Sequence, residues 1–301
     1  MYLEFYGLTE PPFSLTPDTE FYFENPSHQE ALNVLLVALE SGEGFIKVTG
    51  EVGLGKTLLC RKLLNSLGDD WVTAYIPNPH LSPVAVRLAL AEELGIPLRG
   101  RQTQEQVLRE ITRKLIELRA EGKRTVLLLD EAQQLPQAAL EAVRLLTNLE
   151  TEKSKLLQVV LFGQPELDER LDRPAIRQLR QRISFSYTLD PMTREHVGEY
   201  VRHRLRVAGY RGGPLFHERA VDLIYRTSHG IPRLINILCH KAMLAAFGRG
   251  DEQITPRHAN MAIRDTEGVA RARPMPRGLW YGLAAAVVVV LGLAWWLGEW
   301  R

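Results

Sequence analysis

Gly50-Glu51-Val52-Gly53-Leu54-Gly55-Lys56-Thr57 is the stretch on which the fold turns. Its residues fit the pattern GxxxxGK[ST], and their surroundings fit the strand, loop and helix which that pattern needs. Ahead of the loop runs the β-rich segment 45–49, and after it residues 58–67 carry helical periodicity. Glycines in such a turn let successive backbone N–H groups wrap phosphate closely, with the positive end of the following helix behind them. Lys56 is then placed to reach the β- and γ-phosphates, and the Thr57 hydroxyl to enter a magnesium shell. Gly50, Glu51, Val52, Gly53, Leu54, Gly55, Lys56, Thr57 and Leu58 form the expected phosphate-binding set.

Working outward, Val126-Leu127-Leu128-Leu129-Asp130-Glu131 sets two carboxylates at the end of an apolar run. In a parallel sheet, ligands gather beyond the carboxyl ends of the strands, so Asp130 and the glycine loop are expected to face one crevice. There Asp130 would hold magnesium, and Glu131 would orient and deprotonate the attacking water. Gln164 follows the apolar run 159–163, where its amide can meet the γ-phosphate or the water; its other reading is a cap for a helix beginning near Pro165. Arg177, Arg180 and Arg182 precede the last strand, where an arginine can stabilise transition-state charge in a neighbouring subunit or simply form a solvated basic face. Arg233, in Gly230-Ile231-Pro232-Arg233, begins a helix that can fold its guanidinium onto nucleotide, the alternative being a local salt bridge. Of the early aromatics Phe13, Phe21, Tyr22 and Phe23, core packing is the common fate, and Tyr22 alone is kept as a stacking candidate beside adenine. The expected ligands are ATP and Mg2+, since no guanine-reading NKxD motif occurs.

The rest of the chain supports an α/β class: a three-layer parallel sheet of the P-loop type with a small all-α lid and one C-terminal transmembrane helix. Runs 45–49, 71–76, 125–129, 158–162 and 183–188 are too apolar to alternate and are expected as strands buried on both faces. Capping boxes are read at Ser27 with Glu30, before helix 31–39, and at Thr103 with Gln106, before helix 107–118. Residues 1–191 are assigned to the ATPase core, and 192–267 to the lid, with helices at 194–207, 218–226, 232–247 and 256–264. A linker, 268–278, leads to a charge-free run, 279–297, and a short tail, 298–301. Nineteen helical residues reach about 28 Å, close to a bilayer core. Arg271, Arg273 and Arg277 precede the span, so the positive-inside rule leaves the ATPase part in the cytoplasm. The start lacks the basic and apolar run of a secretory leader.

Composition narrows the partners. Thirty-seven basic and 36 acidic residues give a net charge of +1, so the whole chain carries no electrostatic bias toward nucleic acid, which is not an expected partner. Cys60 and Cys239 lie far apart in apolar helical patterns and read as reduced core thiols, and the eight histidines show no metal-ligand spacing. His28 and His80 are expected as polar surface or capping groups.

Taken in order, the opening Tyr2-Leu3-Glu4-Phe5-Tyr6-Gly7-Leu8, Pro12-Phe13, Thr16-Pro17-Asp18, the glycine loop, Asp130-Glu131-Ala132-Gln133, Gly163-Gln164-Pro165-Glu166-Leu167, 177–182 and Gly230-Ile231-Pro232-Arg233 resemble the AAA ATPases of the secretion-pathway A type (ExeA/GspA). Within that family the likeness runs toward the branch serving biogenesis of the mannose-sensitive haemagglutinin (MSHA) pilus. It covers about residues 1–267. It implies a bacterial inner-membrane AAA+ ATPase assisting assembly of a type IV pilus or type II secretion machine, working as a homo-oligomer with other inner-membrane components. It also implies Walker roles for Lys56, Thr57, Asp130 and Glu131, sensor roles for Gln164 and Arg233, and an arginine finger at Arg180 or Arg182. Secretion-pathway A proteins carry a peptidoglycan-binding domain beyond their membrane helix; the sequence stops at Arg301, so direct wall binding is not expected and the pilus reading is favoured. The alternatives are a nucleotide-gated scaffold and a DNA-associated ATPase of the transposition-regulator type.

Overall fold

The computed structural model describes residues 1–77, 81–97, 103–150 and 154–266. A single turn, α1 (Tyr2–Phe5), is followed by α2 (Pro26–Glu40), and β1 (Phe45–Thr49) leads through the glycine loop into α3 (Lys56–Ser66). Next come β2 (Trp71–Ile76), α4 (Pro83–Glu93), α5 (Gln104–Ala120), β3 (Arg124–Leu129), α6 (Gln137–Leu146) and β4 (Gln158–Gly163). Two short helices, α7 (Glu166–Leu171) and α8 (Arg177–Arg180), precede β5 (Ile183–Thr188). The helices α9 (Arg194–Val207), α10 (Glu218–Ser228), α11 (Pro232–Phe247) and α12 (Pro256–Arg264) follow.

All strand pairings are parallel, in the order β2-β3-β4-β1-β5. Because β4 lies between β1 and β3, the turns leaving these three strands emerge side by side at one edge of the sheet. Alternate side chains point to opposite faces. Phe45, Leu127, Leu129, Val159 and Leu161 pack with α4, α5 and α6 on one side. Ile46, Val48, Val126, Leu128, Val160 and Phe162 pack with α2 and α3 on the other. Burial on both faces thus holds for the central strands β1, β3 and β4. It fails for the edges: β5 alternates half-buried and exposed positions, and β2 is only partly covered, because an edge strand has a neighbour on one side alone.

A separate core joins α9, α10, α11 and α12, and it includes Tyr6, Leu8, Phe13 and Phe21. The Phe13 ring meets Phe216 edge-on at 5.9 Å between centroids, and Tyr6 donates to the carbonyl of Met243 at 3.4 Å. Tyr6, Leu8, Phe13 and Phe21, which lie within the expected ATPase core 1–191, thus pack with the helices that follow the sheet.

The capping box at Thr103 and Gln106 forms reciprocally. That at Ser27 and Glu30 does not form: α2 starts at Pro26 behind Asn25, ahead of Ser27, and Ser27 accepts instead from the Asp190 amide at 2.9 Å while Glu30 accepts from the Tyr187 hydroxyl at 2.8 Å. Among the described residues no helix is long and apolar enough to cross a membrane. The expected linker 268–278, span 279–297 and tail 298–301, like His80, lie outside the described residues.

Candidate functional site

The glycine loop is shaped by backbone that only glycine adopts without strain. Gly53 and Gly55 have φ of 87° and 91°. A Cβ at Gly53 would stand 2.7 Å from Cβ of Arg233, and one at Gly55 would stand 3.2 Å from Nε2 of His28. The loop therefore has α11 against one side and α2 against the other. The Arg233 amide, at the start of α11, donates to the Gly53 carbonyl at 3.2 Å. His28 is buried, with Nε2 2.8 Å from the Leu54 carbonyl and Nδ1 3.4 Å from the Asn25 side-chain amide. Burial lowers its pKa, so it stays neutral and donates from Nε2. The reading of His28 as a surface or helix-capping group is corrected accordingly: it buttresses the loop from beneath.

Lys56 is buried, and its ammonium donates to the carbonyls of Gly50 at 2.6 Å and Glu51 at 3.0 Å. Burial lowers its pKa, against the pull of Glu131, Asp130, Glu51 and Glu166. The Thr57 hydroxyl donates to Oδ2 of Asp130 at 2.6 Å, and Oδ1 of Asp130 accepts the Glu131 amide at 2.9 Å. Burial raises the Asp130 pKa, and the Thr57 hydrogen bond opposes that rise. The Asp130 carboxylate and the Thr57 hydroxyl are hard oxygen ligands of the kind a hydrated magnesium ion would take, while the Lys56 ammonium is suited to phosphate. Among the described residues no cluster of three or more His, Cys, Asp or Glu side chains could hold a metal ion.

Glu131 adopts the left-handed region at φ 51°. Its Oε2 accepts from Nε2 of Gln133 at 2.6 Å and from Nε2 of Gln164 at 3.0 Å. Gln164 gives α7 no side-chain cap, only its carbonyl accepting the Leu167 amide at 2.9 Å; its side-chain amide reaches back across the sheet edge to Glu131.

A cavity of about 290 Å³ opens over these groups. Gly53, Gly55, Lys56, Thr57, Leu58, Glu131 and Arg233 line one part of it. Leu15, Thr16, Pro17, Tyr200, Arg204 and Asn236 line the rest. Tyr22 is not in the lining: it is buried beside His28, with the Lys62 ammonium 5.1 Å from its ring centre, and burial pushes its hydroxyl pKa up to about 12. The stacking role expected of Tyr22 is corrected to core packing, because the segment containing it turns its residues 14–18 to the cavity and its aromatics to the protein interior.

Arg204 went unrecognised in the sequence. It is 5% exposed, donates to the carbonyls of Pro12 at 2.6 Å and Ser14 at 3.1 Å, and stacks its guanidinium 4.3 Å from the Phe21 ring centre. Asn236 also donates to Ser14, at 3.4 Å, and accepts from Tyr200 at 2.9 Å. A signal existed: Val197, Tyr200, Val201, Arg204 and Leu205 share the apolar stripe of α9, and a cation on such a stripe has a buried partner.

Arg180 and Arg182 lie elsewhere. Both precede β5, whose first residue Ile183 registers with Phe45, the first of β1, so they sit at the edge of the sheet opposite the loop. Arg180 pairs with Asp172 at 2.6 Å, both exposed, and Arg182 donates to Asn148 and, at 3.3 Å, to Thr147. Arg177 begins α8 beside them.

Residues 39–171 match the family model described as AAA domain. The chain is 43% identical over 296 residues to General secretion pathway protein A of Aeromonas hydrophila, covering 98% of this chain and 54% of that protein. It thus spans about half the length of that relative. Among solved structures, it is similar to Cdc6p from Pyrobaculum aerophilum, with TM-score 0.65, 21% identity and coverage of 83% of this chain and 69% of that one. It is also similar to the ORC2 protein of Aeropyrum pernix, seen in ADPNP–ADP complexes, with TM-score 0.62, 16% identity and coverage of 85% and 71%. The structural likeness carries the fold, an AAA-type α/β fold around a parallel sheet. The match to the AAA domain model lies within that fold and covers less than half of the chain.

Proposed function

We propose that this chain hydrolyses ATP in the cavity between the glycine loop and the helices α9 and α11, and that the cycle assists assembly of a type II secretion machine or of a type IV, MSHA-like pilus. The observation that carries the reading is the convergence of Lys56, Thr57, Glu131 and Arg233 on one cavity, with Asp130 bonded to Thr57 and Gln164 to Glu131. Lys56 and the loop amides would bind the phosphates, Thr57 and Asp130 would hold Mg2+, and Arg233 would reach the triphosphate from the start of α11. When bound, the metal neutralises charge that develops on the transferring phosphoryl group. Glu131 takes the proton of the attacking water, and Gln164 orients that water.

The likeness to General secretion pathway protein A supports the secretion setting. Anchoring in a bacterial inner membrane through 279–297, with the ATPase part in the cytoplasm, belongs to the same proposal, as do homo-oligomerisation and contact with inner-membrane components. Steady-state phosphate release by the full chain tests the chemistry. Glu131→Gln is expected to lower turnover by about 100-fold or more while nucleotide still binds, and equal rates would remove the enzymatic reading. Co-purification from membranes with secretion or pilus components tests the setting. Activity that rose with DNA and fell steeply with salt would move the chain to the DNA-associated class instead.

A further inference from the structure

Gln133 bridges the tips of β3 and β4. Its Nε2 donates to Oε2 of Glu131 at 2.6 Å, while its Oε1 accepts the backbone N–H of Gln164 at 3.1 Å. The Gln164 side chain returns to the same Glu131 oxygen at 3.0 Å, closing a ring of three hydrogen bonds. From α7, the Arg170 guanidinium donates to the Gln133 carbonyl and holds the short 3-10 turn Ala132–Gln134 in place. Glu131 stands in a backbone region that a residue with a side chain rarely adopts, so the direction of its carboxylate is imposed by these neighbours. Gly163 keeps the approach close: a Cβ there would lie 2.6 Å from Leu167 and 3.4 Å from Oε1 of Gln133.

We infer that Gln133 is a positioning residue for ATP hydrolysis, which fixes Glu131 through one carboxylate oxygen, leaves the other for the water, and ties that aim to the end of β4. The inference rests on the proposed role of Glu131 as general base. A plain structural bracket between two strand tips would need only the Oε1 contact to the Gln164 amide. Catalytic orientation also needs the Nε2 donor.

Gln133→Glu keeps the acceptor and its length, removes the amide donor and sets a second carboxylate beside Glu131, so the uncharged Gln133→Leu is read beside it. In the full chain Gln133→Glu is expected to lower kcat by about 10- to 100-fold with nucleotide KM within twofold. Gln133→Leu, which removes donor and acceptor, is expected to do the same with a lower thermal midpoint. In a Glu131→Gln background neither substitution should lower turnover further. A Gln133→Glu enzyme with wild-type kcat, or with KM rising in step with the loss, overturns the inference, and if that variant does not fold the same criteria apply to Gln133→Leu. Should Glu131→Gln itself turn over at the wild-type rate, the general-base reading fails. Should Glu131→Gln be inactive while Gln133→Glu is not, only the role of Gln133 falls.

Discussion

Among single residues, His28 shows how a buried polar group is kept for one contact. Its neutral imidazole donates to the Leu54 carbonyl inside the glycine loop, and burial depresses its pKa. The unfolded chain has no such constraint and protonates this histidine near the ordinary value of about 6.5. A depressed pKa means stability that is present above that value and lost as pH falls through it toward the folded value, because the unfolded state then binds more protons. Relative to His28→Gln, the wild-type chain is expected to lose about 1 kcal/mol of unfolding free energy per pH unit below about 6.5. Urea titrations of both proteins at three pH values around that point check it. A constant difference between them would show that the imidazole titrates alike folded and unfolded.

At the scale of elements, α9 and the segment before α2 act as one unit. Arg204 holds Pro12 and Ser14, so the stretch that lines the cavity at Leu15 and Pro17 is fastened to the helical core and not to the sheet. Any shift of α9 to α12 against the sheet would carry this wall with it. Arg204→Met keeps the stem and removes the donors, leaving the Pro12 carbonyl without this partner and the Ser14 carbonyl with Asn236 alone, each lost hydrogen bond costing about 1 kcal/mol or more. The expected outcome is a stability loss of about 2–4 kcal/mol, a weaker affinity for nucleotide and a largely preserved kcat at saturation. A urea midpoint and a fluorescent-nucleotide titration measure these, and unchanged affinity would disconnect the segment from the nucleotide.

For the molecule as a whole, the two ends of the sheet carry different charges of purpose. The carboxyl edge gathers Lys56, Asp130, Glu131 and Gln164, while Arg180 and Arg182 project at the amino edge, where they cannot serve the same chain's cavity. If neighbouring copies in the proposed oligomer set amino edge against carboxyl edge, a Glu131→Gln chain still lends its arginines, and an Arg180→Ala/Arg182→Ala chain still offers an intact Glu131. Mixing the two inactive proteins is expected to restore part of the ATPase rate, read as phosphate release against their ratio. Absence of restoration, with mixed oligomers demonstrated by mass, would remove these arginines as fingers.

The sequence by itself determined what local chemistry controls. The glycine loop, the acidic strand end, the central apolar strands and the helices at 194–207 and 232–247 were legible because glycine conformation, burial on two faces and helical period are written in neighbouring residues. The bounds of edge strands were readable too, though not their exposure, which depends on who stands beside them. Only the tertiary structure decided that Tyr6, Leu8, Phe13 and Phe21 belong to the helical core, that Tyr22 faces inward while Leu15 lines the cavity, and that Gln133 meets both Glu131 and Gln164. These are contacts between residues up to 237 positions apart in the chain, selected by which surfaces remain uncovered once the sheet and its helices have packed.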